Sequence, residues 1–291
     1  MDLVSILDAD IEPLFWTPKL LDKPSAWWGH VPFAFWLTVA CKPRVFVELG
    51  THHGVSYAAF CEAILRSRLA ARSYAIDTWQ GDEQTGFYGE DVYAALRAFN
   101  DANYAAFSDL IRSNFDDANS HFADEAIDLL HIDGYHTYEV VRHDFELWRP
   151  KLSARGVVLL HNTNVRSPGF GVWRLFEELS RTTPSFQFLH GAGLGVLALG
   201  SDAHEAIMQL CRLDRDRDIA TVRERFSNLG LIWIDANDFR RDRERRLVRI
   251  QELEHTASDR AQQLVRTAEQ VQKFKRATDR IHALERTAAE H

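Results

Sequence analysis

The stretch VFVELGTHHGVSY, residues 45–57, decides the fold. Its first three residues are apolar without a helical period, as in a strand that is buried on both faces of a parallel sheet. Gly50 and Gly54 then allow backbone angles that other residues avoid, and a helix that begins near Gly54 would offer unpaired N–H groups to a ligand. Strand, glycine turn and helix in this order are typical of nucleotide-cofactor domains, although the glycine spacing does not match the dinucleotide fingerprint G-x-G-x-x-G.

The composition indicates a globular protein without a membrane span. The 291 residues are 46% hydrophobic and 11% aromatic, which is enough to fill a sizeable core. The longest apolar run, near residues 31–41, is shorter than the roughly 20 residues that cross a bilayer, so neither a span nor a secretory leader is predicted. Three widely spaced cysteines, Cys41, Cys61 and Cys211, favour reduced thiols and a cytoplasmic location over a disulfide framework.

The net charge of −8 is divided unevenly along the chain. Residues 238–291 carry 13 Lys+Arg against 10 Asp+Glu, which leaves 21 against 32 in the rest of the chain. The body is therefore about −11 and the tail about +3. Because binding to a phosphate backbone draws on clustered basic residues, the acidic body argues against nucleic acid as the main partner.

The remaining patterns predict an α/β fold, a Rossmann-like seven-stranded sheet with helices on both faces. Four units are expected: an N-terminal aromatic helical cap over residues 1–43 with a helix that begins at Ser25, an α/β domain over 44–200, a helical extension over 201–237 and a long helix over 238–291. The predicted strands are residues 45–47, 73–76, 110–113, 126–132, 156–160, 186–190 and 195–199, the last two as an antiparallel hairpin, with residues 231–234 as a further short strand or packing segment.

The tail is predicted to form one long helix. It contains no Gly or Pro, and its apolar residues recur at steps near three and four. Fully helical, residues 238–291 would reach about 80 Å, more than one domain could cover, so a coiled coil or a linker to further chain is implied. Lys275 and His282 fall where this seam needs apolar residues, which leaves a dimer and a single solvated helix as alternatives. The proposed seam is Ile250, Leu253, Ala257, Ala261, Leu264, Ala268 and Val271.

Polar side chains follow four of the predicted parallel strands at their carboxyl ends. They are Glu48, Asp77, Asp133 and the pair His161 and Asn162. In open α/β sheets ligands bind outside those ends, where the strand order reverses. The sequence therefore predicts a site at this edge, and the long polar loop over residues 78–89 is a candidate part of it.

Four segments in this order, ELGTHHGVSY, AIDTW, LLHIDGYHTYE and GVVLLHN, resemble the class I S-adenosylmethionine-dependent methyltransferases. The closest likeness is to the branch of sugar and small-molecule O-methyltransferases that is often associated with glycosyltransferases, and it covers roughly residues 25–200. The resemblance implies S-adenosylmethionine as cofactor, a small-molecule or glycan acceptor, and a place in polysaccharide biosynthesis. A second copy or a glycosyltransferase is the expected partner of the C-terminal helix.

The resemblance also implies roles for individual residues in the cofactor pocket. Glu48, Gly50 and Thr51 would line the methionine end. Asp77 would accept hydrogen bonds from both ribose hydroxyls, and Trp79 would stack near the adenine. The residues around 113–115, at the end of the next strand, would border the same base. The full set implied to bind the cofactor is Glu48, Gly50, Thr51, His52, Asp77, Trp79, Ser113 and Asp133.

The negative charge that develops on the acceptor oxygen during methyl transfer indicates which catalytic groups to expect. An alcohol must lose its proton to attack a sulfonium methyl group, and a placed histidine supplies about 10²- to 10⁴-fold as general base. His136 resembles that base, with Asp133 aiding the substrate or a metal. Related enzymes hold Mg²⁺ with an acid at this place and further acids after the fifth strand. Here Asp133, His161 and Asn162 would have to form the metal set, although Mg²⁺ prefers oxygen ligands.

Two other functions fit parts of the sequence. A methyltransferase-like fold with a decayed site could act as an assembly module organised by its C-terminal helix, which Asn162 and the tail motivate. A nicotinamide-dependent oxidoreductase would share the fold but lacks the glycine spacing. The loop over residues 78–89 and the SPGFG loop, residues 167–171, are expected to shape the acceptor pocket in the first hypothesis.

Overall fold

The computed structural model describes residues 11–84 and 86–289, and its centre is a seven-stranded sheet in the order β5-β2-β1-β6-β7-β9-β8. The first five strands in that order are parallel, and β9 runs antiparallel to both β7 and β8. This confirms the predicted fold class. The strands are β1 (Val45–Leu49), β2 (Arg72–Asp77), β5 (Ser108–Arg112), β6 (Ile127–Ile132), β7 (Leu152–His161), β8 (Ser185–Phe188) and β9 (Leu194–Ala198), while β3 (Gly81–Asp82) and β4 (Gly86–Phe87) form a separate hairpin.

Helices alternate with the strands, as parallel pairing requires. The helix α5 (Tyr138–Trp148) has the predicted bounds, with Thr137 as its N-cap. Ser25 also caps as predicted, since its Oγ accepts a hydrogen bond from the Trp27 N–H at the start of a 3₁₀ helix, Ala26–His30. The other α-helices are α1 (Val31–Cys41), α2 (Val55–Arg66), α3 (Glu90–Asn103), α4 (Phe115–Asn119), α6 (Val172–Leu179), α7 (Glu205–Cys211) and α8 (Asp216–Ala289).

Side-chain alternation along the strands divides the core between the two sheet faces. In β1, Phe46 belongs to one apolar cluster, whereas Val47 and Leu49 belong to the other. The first cluster holds the aromatic residues before β1, including Trp27 and Phe33, each almost fully buried. The N-terminal aromatic segment is thus core packed on the sheet, because its large rings bury more apolar surface there than a mobile lid would.

The chain divides into two units, Met1–Asn237 and Asp238–His291. In the first unit, the early turns of α8 place Phe226 against Phe33 and Phe188. Residues 231–234, predicted as a strand or packing segment, lie inside α8. Trp233 and Ile234 pack on the core while Leu231 and Ile232 face outward, so this apolar run follows a helical period.

The second unit is helix throughout its described length, and its side chains are exposed over residues 242–282. Along residues 11–84 and 86–289 no helix combines the length and the apolarity that crossing a membrane demands. The three cysteines are free and buried, as their spacing predicted.

Gly50 is the position where the fold most requires glycine. Its φ is +85°, and a Cβ there would lie 2.2 Å from the carbonyl oxygen of Asp133. Gly86 has a similar φ of +82° but no heavy atom within 4 Å of such a Cβ. The positive φ would therefore strain an alanine at either position, but only at position 50 would its Cβ also collide with other atoms.

We expect Gly50→Ala to lower the free energy of unfolding more than Gly86→Ala does. The left-handed backbone costs an alanine about 1–2 kcal/mol at either site, and only Gly50→Ala adds a collision with backbone, for a total of roughly 3 kcal/mol or more. Urea denaturation of the two variants measures the difference. Equal losses would show that Asp133 does not pack against this turn.

Candidate active site

A cleft of about 230 Å³ opens at the carboxyl edge of the sheet, where the sequence predicted a site. Its walls come from the segments that follow β1, β2, β5 and β6, so the strand order brings together residues distant in sequence. Of the predicted cofactor residues, Gly50, His52, Asp77 and Asp133 line it. The other lining residues are Thr78, Gly81, Asp82, Asn114, Phe115, Gly134 and Tyr135.

The carboxylate of Asp77 organises the turn between β1 and α2. Its Oδ2 accepts hydrogen bonds from the Thr51 and His52 N–H groups, both at 2.8 Å, and its Oδ1 accepts one from the Trp79 N–H at 2.8 Å. A carboxylate has about four lone-pair positions, and three are occupied here. One position remains for a ligand, so this geometry suits one ribose hydroxyl and not the two that were expected.

Trp79 and Glu48 lie behind the cleft, contrary to the roles expected for them. The Trp79 ring is buried against Tyr93, and its Nε1 donates to the carbonyl oxygen of His52 at 3.0 Å. Trp79 therefore supports the turn from inside, because its polar edge already has a partner. Adenine stacking by this ring does not fit the structure.

Glu48 is fully buried in a hydrogen-bonded row with His131 and Trp27. His131 Nδ1 donates to Glu48 Oε2 at 2.8 Å, and Trp27 Nε1 donates to His131 Nε2 at 3.2 Å. Burial raises the pKa of Glu48, although the bond from His131 opposes the shift. Glu48 is thus an internal tie between β1 and β6, and it does not reach the methionine end of the cleft.

The end of β5 contributes to the cleft through two of the three residues expected there, 113–115. The Ser113 N–H donates to the carbonyl oxygen of Asp77 and continues the strand pairing. Asn114 and Phe115, which follow it, line the cleft. Their contact with an adenine stays a prediction.

Asp133 lies between two histidines. His161 Nδ1 donates to Asp133 Oδ1 at 3.0 Å, and His136 Nε2 is 3.6 Å from the same oxygen. Burial alone would raise the pKa of Asp133, but His161 and His136 together lower it below its usual range. Asp133 is therefore a carboxylate at neutral pH.

His161 is bonded on both sides of its ring. Its Nε2 donates to the carbonyl oxygen of Gly191 at 2.9 Å, and both of its partners are acceptors, so both ring nitrogens carry a proton. Burial lowers its pKa, yet Asp133 and the Gly191 carbonyl outweigh burial, and the pKa of His161 is raised.

These bonds bear on the predicted metal set of Asp133, His161 and Asn162. A metal needs a nitrogen lone pair from His161, and neither ring nitrogen offers one while both donate hydrogen bonds. Asp133 Oδ1 likewise already accepts a hydrogen bond from the His161 imidazolium. The three residues therefore do not fit a Mg²⁺ site in this arrangement.

The proton position on His136 follows from its neighbour Gln84. Gln84 Oε1 accepts from the His136 N–H at 3.0 Å, and Gln84 Nε2 donates to the Gly169 carbonyl at 3.2 Å, which fixes how the amide is oriented. Because Oε1 can only accept, His136 Nδ1, at 2.9 Å from it, carries the proton. Nε2, on the side of Asp133, is then the ring nitrogen that can exchange a proton with a substrate.

Sequence reasoning did not find Gln84 or Phe170, which hold His136 in place. Phe170 stacks on the His136 ring at 5.0 Å between centroids. Both lie in loops that were predicted to shape the acceptor pocket, residues 78–89 and 167–171. Gln84 joins these loops through its bond to Gly169. Loop polarity was the only sequence signal, since the contact between Gln84 and His136 spans 52 residues.

Comparison with known proteins matches residues 47–163 to a family model described as a methyltransferase domain. A protein of Sinorhizobium fredii, described as "Uncharacterized protein y4gI", is 47% identical over 201 residues, which is 69% of this chain and 22% of that protein. The chain thus spans about a fifth of the length of this curated relative.

Solved methyltransferase structures are similar at low identity. The Podospora anserina methyltransferase PaMTH1 with bound S-adenosylhomocysteine is 16% identical with a TM-score of 0.46, covering 67% of this chain and 92% of that one. The O-methyltransferase from Bacillus cereus, in complex with the same compound, is 15% identical with a TM-score of 0.45, covering 67% and 90%.

We expect His161→Gln to destabilise the protein more at low pH than at high pH. A raised folded-state pKa contributes stability that is fully present below the unfolded value of about 6.5 and is lost as the pH rises through the folded value. Urea denaturation at pH 5.5 and pH 9 should therefore show a larger difference between wild type and variant at pH 5.5. His121→Gln, at an exposed position, is the control, and a larger loss at pH 9 would contradict a protonated His161.

Proposed function

We infer that this chain, whose residues 47–163 match a family model described as a methyltransferase domain, is a class I S-adenosylmethionine-dependent O-methyltransferase. The observation that supports this most is His136, held by Gln84 at Nδ1 with its Nε2 3.6 Å from the Asp133 carboxylate. A general base of this kind suits an acceptor that must lose a proton before it attacks. The acceptor we propose is a hydroxyl of a saccharide or similar small molecule.

The cleft has the features that S-adenosylmethionine would require. Asp77 keeps one acceptor position for a ribose hydroxyl, and Asn114 and Phe115 form the wall that an adenine would face. Gly50, without a side chain, lets main chain come close at the methionine end. When bound, the cofactor supplies an electrophilic methyl group on sulfur.

The proton of the acceptor hydroxyl has a defined destination. His136 Nε2 would accept it as the acceptor oxygen takes the methyl group that the bound cofactor would supply, with S-adenosylhomocysteine as the leaving group. The resulting imidazolium would be stabilised by Asp133, whose Oδ1 lies 3.6 Å from Nε2. Gln84 Oε1 keeps the other ring nitrogen protonated and holds the ring plane. Asp133 and Gln84 act through His136, so they are positioning residues in this step.

The positive charge beside Asp133 comes from His161 in this proposal. Metal-dependent relatives of the family place a divalent ion at this point, but the two donor bonds of His161 leave no lone pair for one. The reaction is therefore argued without a metal step. The imidazolium of His161 fixes the Asp133 carboxylate that faces His136.

The acceptor would enter between the loops that Gln84 joins. Asp82, Tyr135 and Thr78 border the cleft and offer polar atoms to hydroxyl groups. Such a wall suits a saccharide, which supports a role in polysaccharide biosynthesis. The free cysteines support a reducing, cytoplasmic compartment. An assembly module with a decayed site has no need of the Gln84–His136–Asp133 arrangement, which favours the enzyme.

We expect His136→Gln to lower kcat for methyl transfer by about 10²- to 10⁴-fold, because the base is removed. Affinity for S-adenosylhomocysteine should stay within about twofold, since His136 does not line the cofactor cleft. Transfer of radiolabelled methyl to a panel of glycans, nucleotide sugars and phenolic acceptors measures the first quantity, and calorimetry measures the second. His121→Gln is the matched control. Unchanged kcat in His136→Gln would remove His136 as base.

The C-terminal helix carries a stripe of exposed apolar side chains at heptad a and d positions, which we propose binds a second copy of this helix. Polar residues occupy the same register at Arg243, Arg246, Arg260, Thr267 and Thr278. The stripe differs from the predicted seam because it leaves out Ala261 and Ala268 and continues through Phe274 and Ile281, not Lys275 and His282. A repeat of 3.5 residues keeps one face toward a partner helix. The stripe consists of Phe239, Ile250, Leu253, Ala257, Leu264, Val271, Phe274 and Ile281.

Charge supports a parallel pair in this register. Arg249 and Glu254 flank the stripe on opposite sides, at positions where the Arg of one helix meets the Glu of its partner one heptad on. Burial of seven large apolar side chains that are each half or more exposed would favour association. A glycosyltransferase on the same stripe is the competing occupant.

We expect the double variant Leu264→Lys/Phe274→Lys to halve the mass in solution, measured by light scattering, because two charges enter the seam. Val265→Lys is the matched control, since Val265 is 60% exposed but lies off the stripe. It should leave the mass unchanged. A wild-type protein with the mass of one chain would contradict the pairing.

A further inference from the structure

A second polar cluster lies between α4 and α5, outside the proposed reaction. Asp116 is in the first turn of α4, and His143 and Asp144 are consecutive residues of α5. His143 Nε2 is 2.8 Å from Asp116 Oδ1, and one ligand atom from each of the three residues lies within 4.8 Å of the other two. Two ligand atoms that each lie about 2.1 Å from a tetrahedral ion are about 3.4 Å apart, so a small closing movement of these side chains would complete a metal site.

Asp144 distinguishes this cluster from an ordinary surface ion pair. Asp144 is only 3% exposed, and its Oδ2 has no hydrogen-bond partner. A buried carboxylate without a partner costs several kcal/mol unless a positive charge compensates it. One carboxylate oxygen of the buried Asp144 lies within 4.8 Å of a ligand atom of the exposed His143 and of the exposed Asp116, so a cation there would be reached from solvent and held in part by a buried residue.

We propose that Asp116, His143 and Asp144 bind one divalent transition-metal ion, for which Zn²⁺ is the probe. One imidazole nitrogen and two carboxylate oxygens are three ligands of types that zinc takes, and water from the exposed side completes four. Mg²⁺ is a poorer match, because it prefers an all-oxygen shell and gives up its water reluctantly. The ion would replace the hydrogen bond between His143 and Asp116.

The position of the site suggests what the ion does. The helix α4 begins at Phe115, which lines the cleft, and the loop before α5 carries Gly134 and Tyr135, which line it too. The Phe115 ring lies against Gly134, where a Cβ would come within 2.5 Å of it. An ion that joins α4 to α5 would therefore brace two adjacent lining segments of the cleft without contacting substrate.

Calorimetric titration of Zn²⁺ and of Mg²⁺ into the full chain, stripped with chelator, tests the site. We expect one Zn²⁺ per chain, no measurable heat from Mg²⁺, and at least tenfold weaker Zn²⁺ binding in Asp144→Asn and in His143→Gln. Glu139→Gln, an exposed acid on the same helix, is the matched control and should bind as wild type does. Equal Zn²⁺ affinity in wild type and Asp144→Asn would overturn the proposal, because zinc would then be held by other histidines.

Thermal denaturation separates loss of the site from loss of the fold. Zn²⁺ should raise the midpoint of wild type and leave that of Asp144→Asn unchanged. Without metal, Asp144→Asn should be at least as stable as wild type, because the variant removes a buried, uncompensated charge. An equal Zn²⁺-induced rise in both proteins would contradict binding at Asp144.

Discussion

The shape of the cleft depends on the hydrogen bonds that the carboxylate of Asp77 accepts. Three backbone N–H groups, from Thr51, His52 and Trp79, converge on its two oxygens. The first two belong to the turn after β1 and the third to the loop after β2, so one side chain joins the ends of two neighbouring strands. Hydrogen bonds to a charged group are worth about 1.5–3 kcal/mol each, enough to hold a tight turn. The lone pair that remains on this carboxylate is the one that a ribose hydroxyl would find.

Hydrogen bonds of His161 support the part of the cleft that holds Asp133. His161 donates to Asp133 on one side and to the Gly191 carbonyl on the other, and His30 shares that carbonyl at 3.1 Å. His30 lies in the N-terminal aromatic segment, as does Trp27, which bonds to His131. The segment thus reaches the polar interior at two points, which explains how an aromatic cap can also orient the groups of a reaction site.

Much of this could be predicted because strand periodicity and strand ends are local properties of the sequence. A parallel strand buried on both faces must end in a turn, so Asp77, Asp133 and His161 were placed at one edge correctly. The direction of a side chain is not local in the same sense. The side chains of Glu48 and Trp79 point into the interior, where Glu48 hydrogen-bonds to His131 and Trp79 donates to the carbonyl oxygen of His52. These partners come from other segments of the chain, so the sequence near Glu48 and Trp79 does not reveal them. Gln84 was missed for the same reason. For residues 231–234 the packing alternative is confirmed and the strand alternative is wrong, because a short apolar run has the same appearance in a strand and in a packed helix.

The central claim is that the cleft at Asp77 binds S-adenosylmethionine, and calorimetric titration of S-adenosylhomocysteine tests it most directly. The wild-type protein should bind one molecule per chain. Asp77→Ala, with its fold checked by circular dichroism, should bind it more weakly by about 2–4 kcal/mol, since the ribose bond and the shape of the turn are both lost. Asp101→Ala, which removes an exposed acid on α3, should bind as wild type does. Equal binding in wild type and Asp77→Ala, or none in either, would contradict the account.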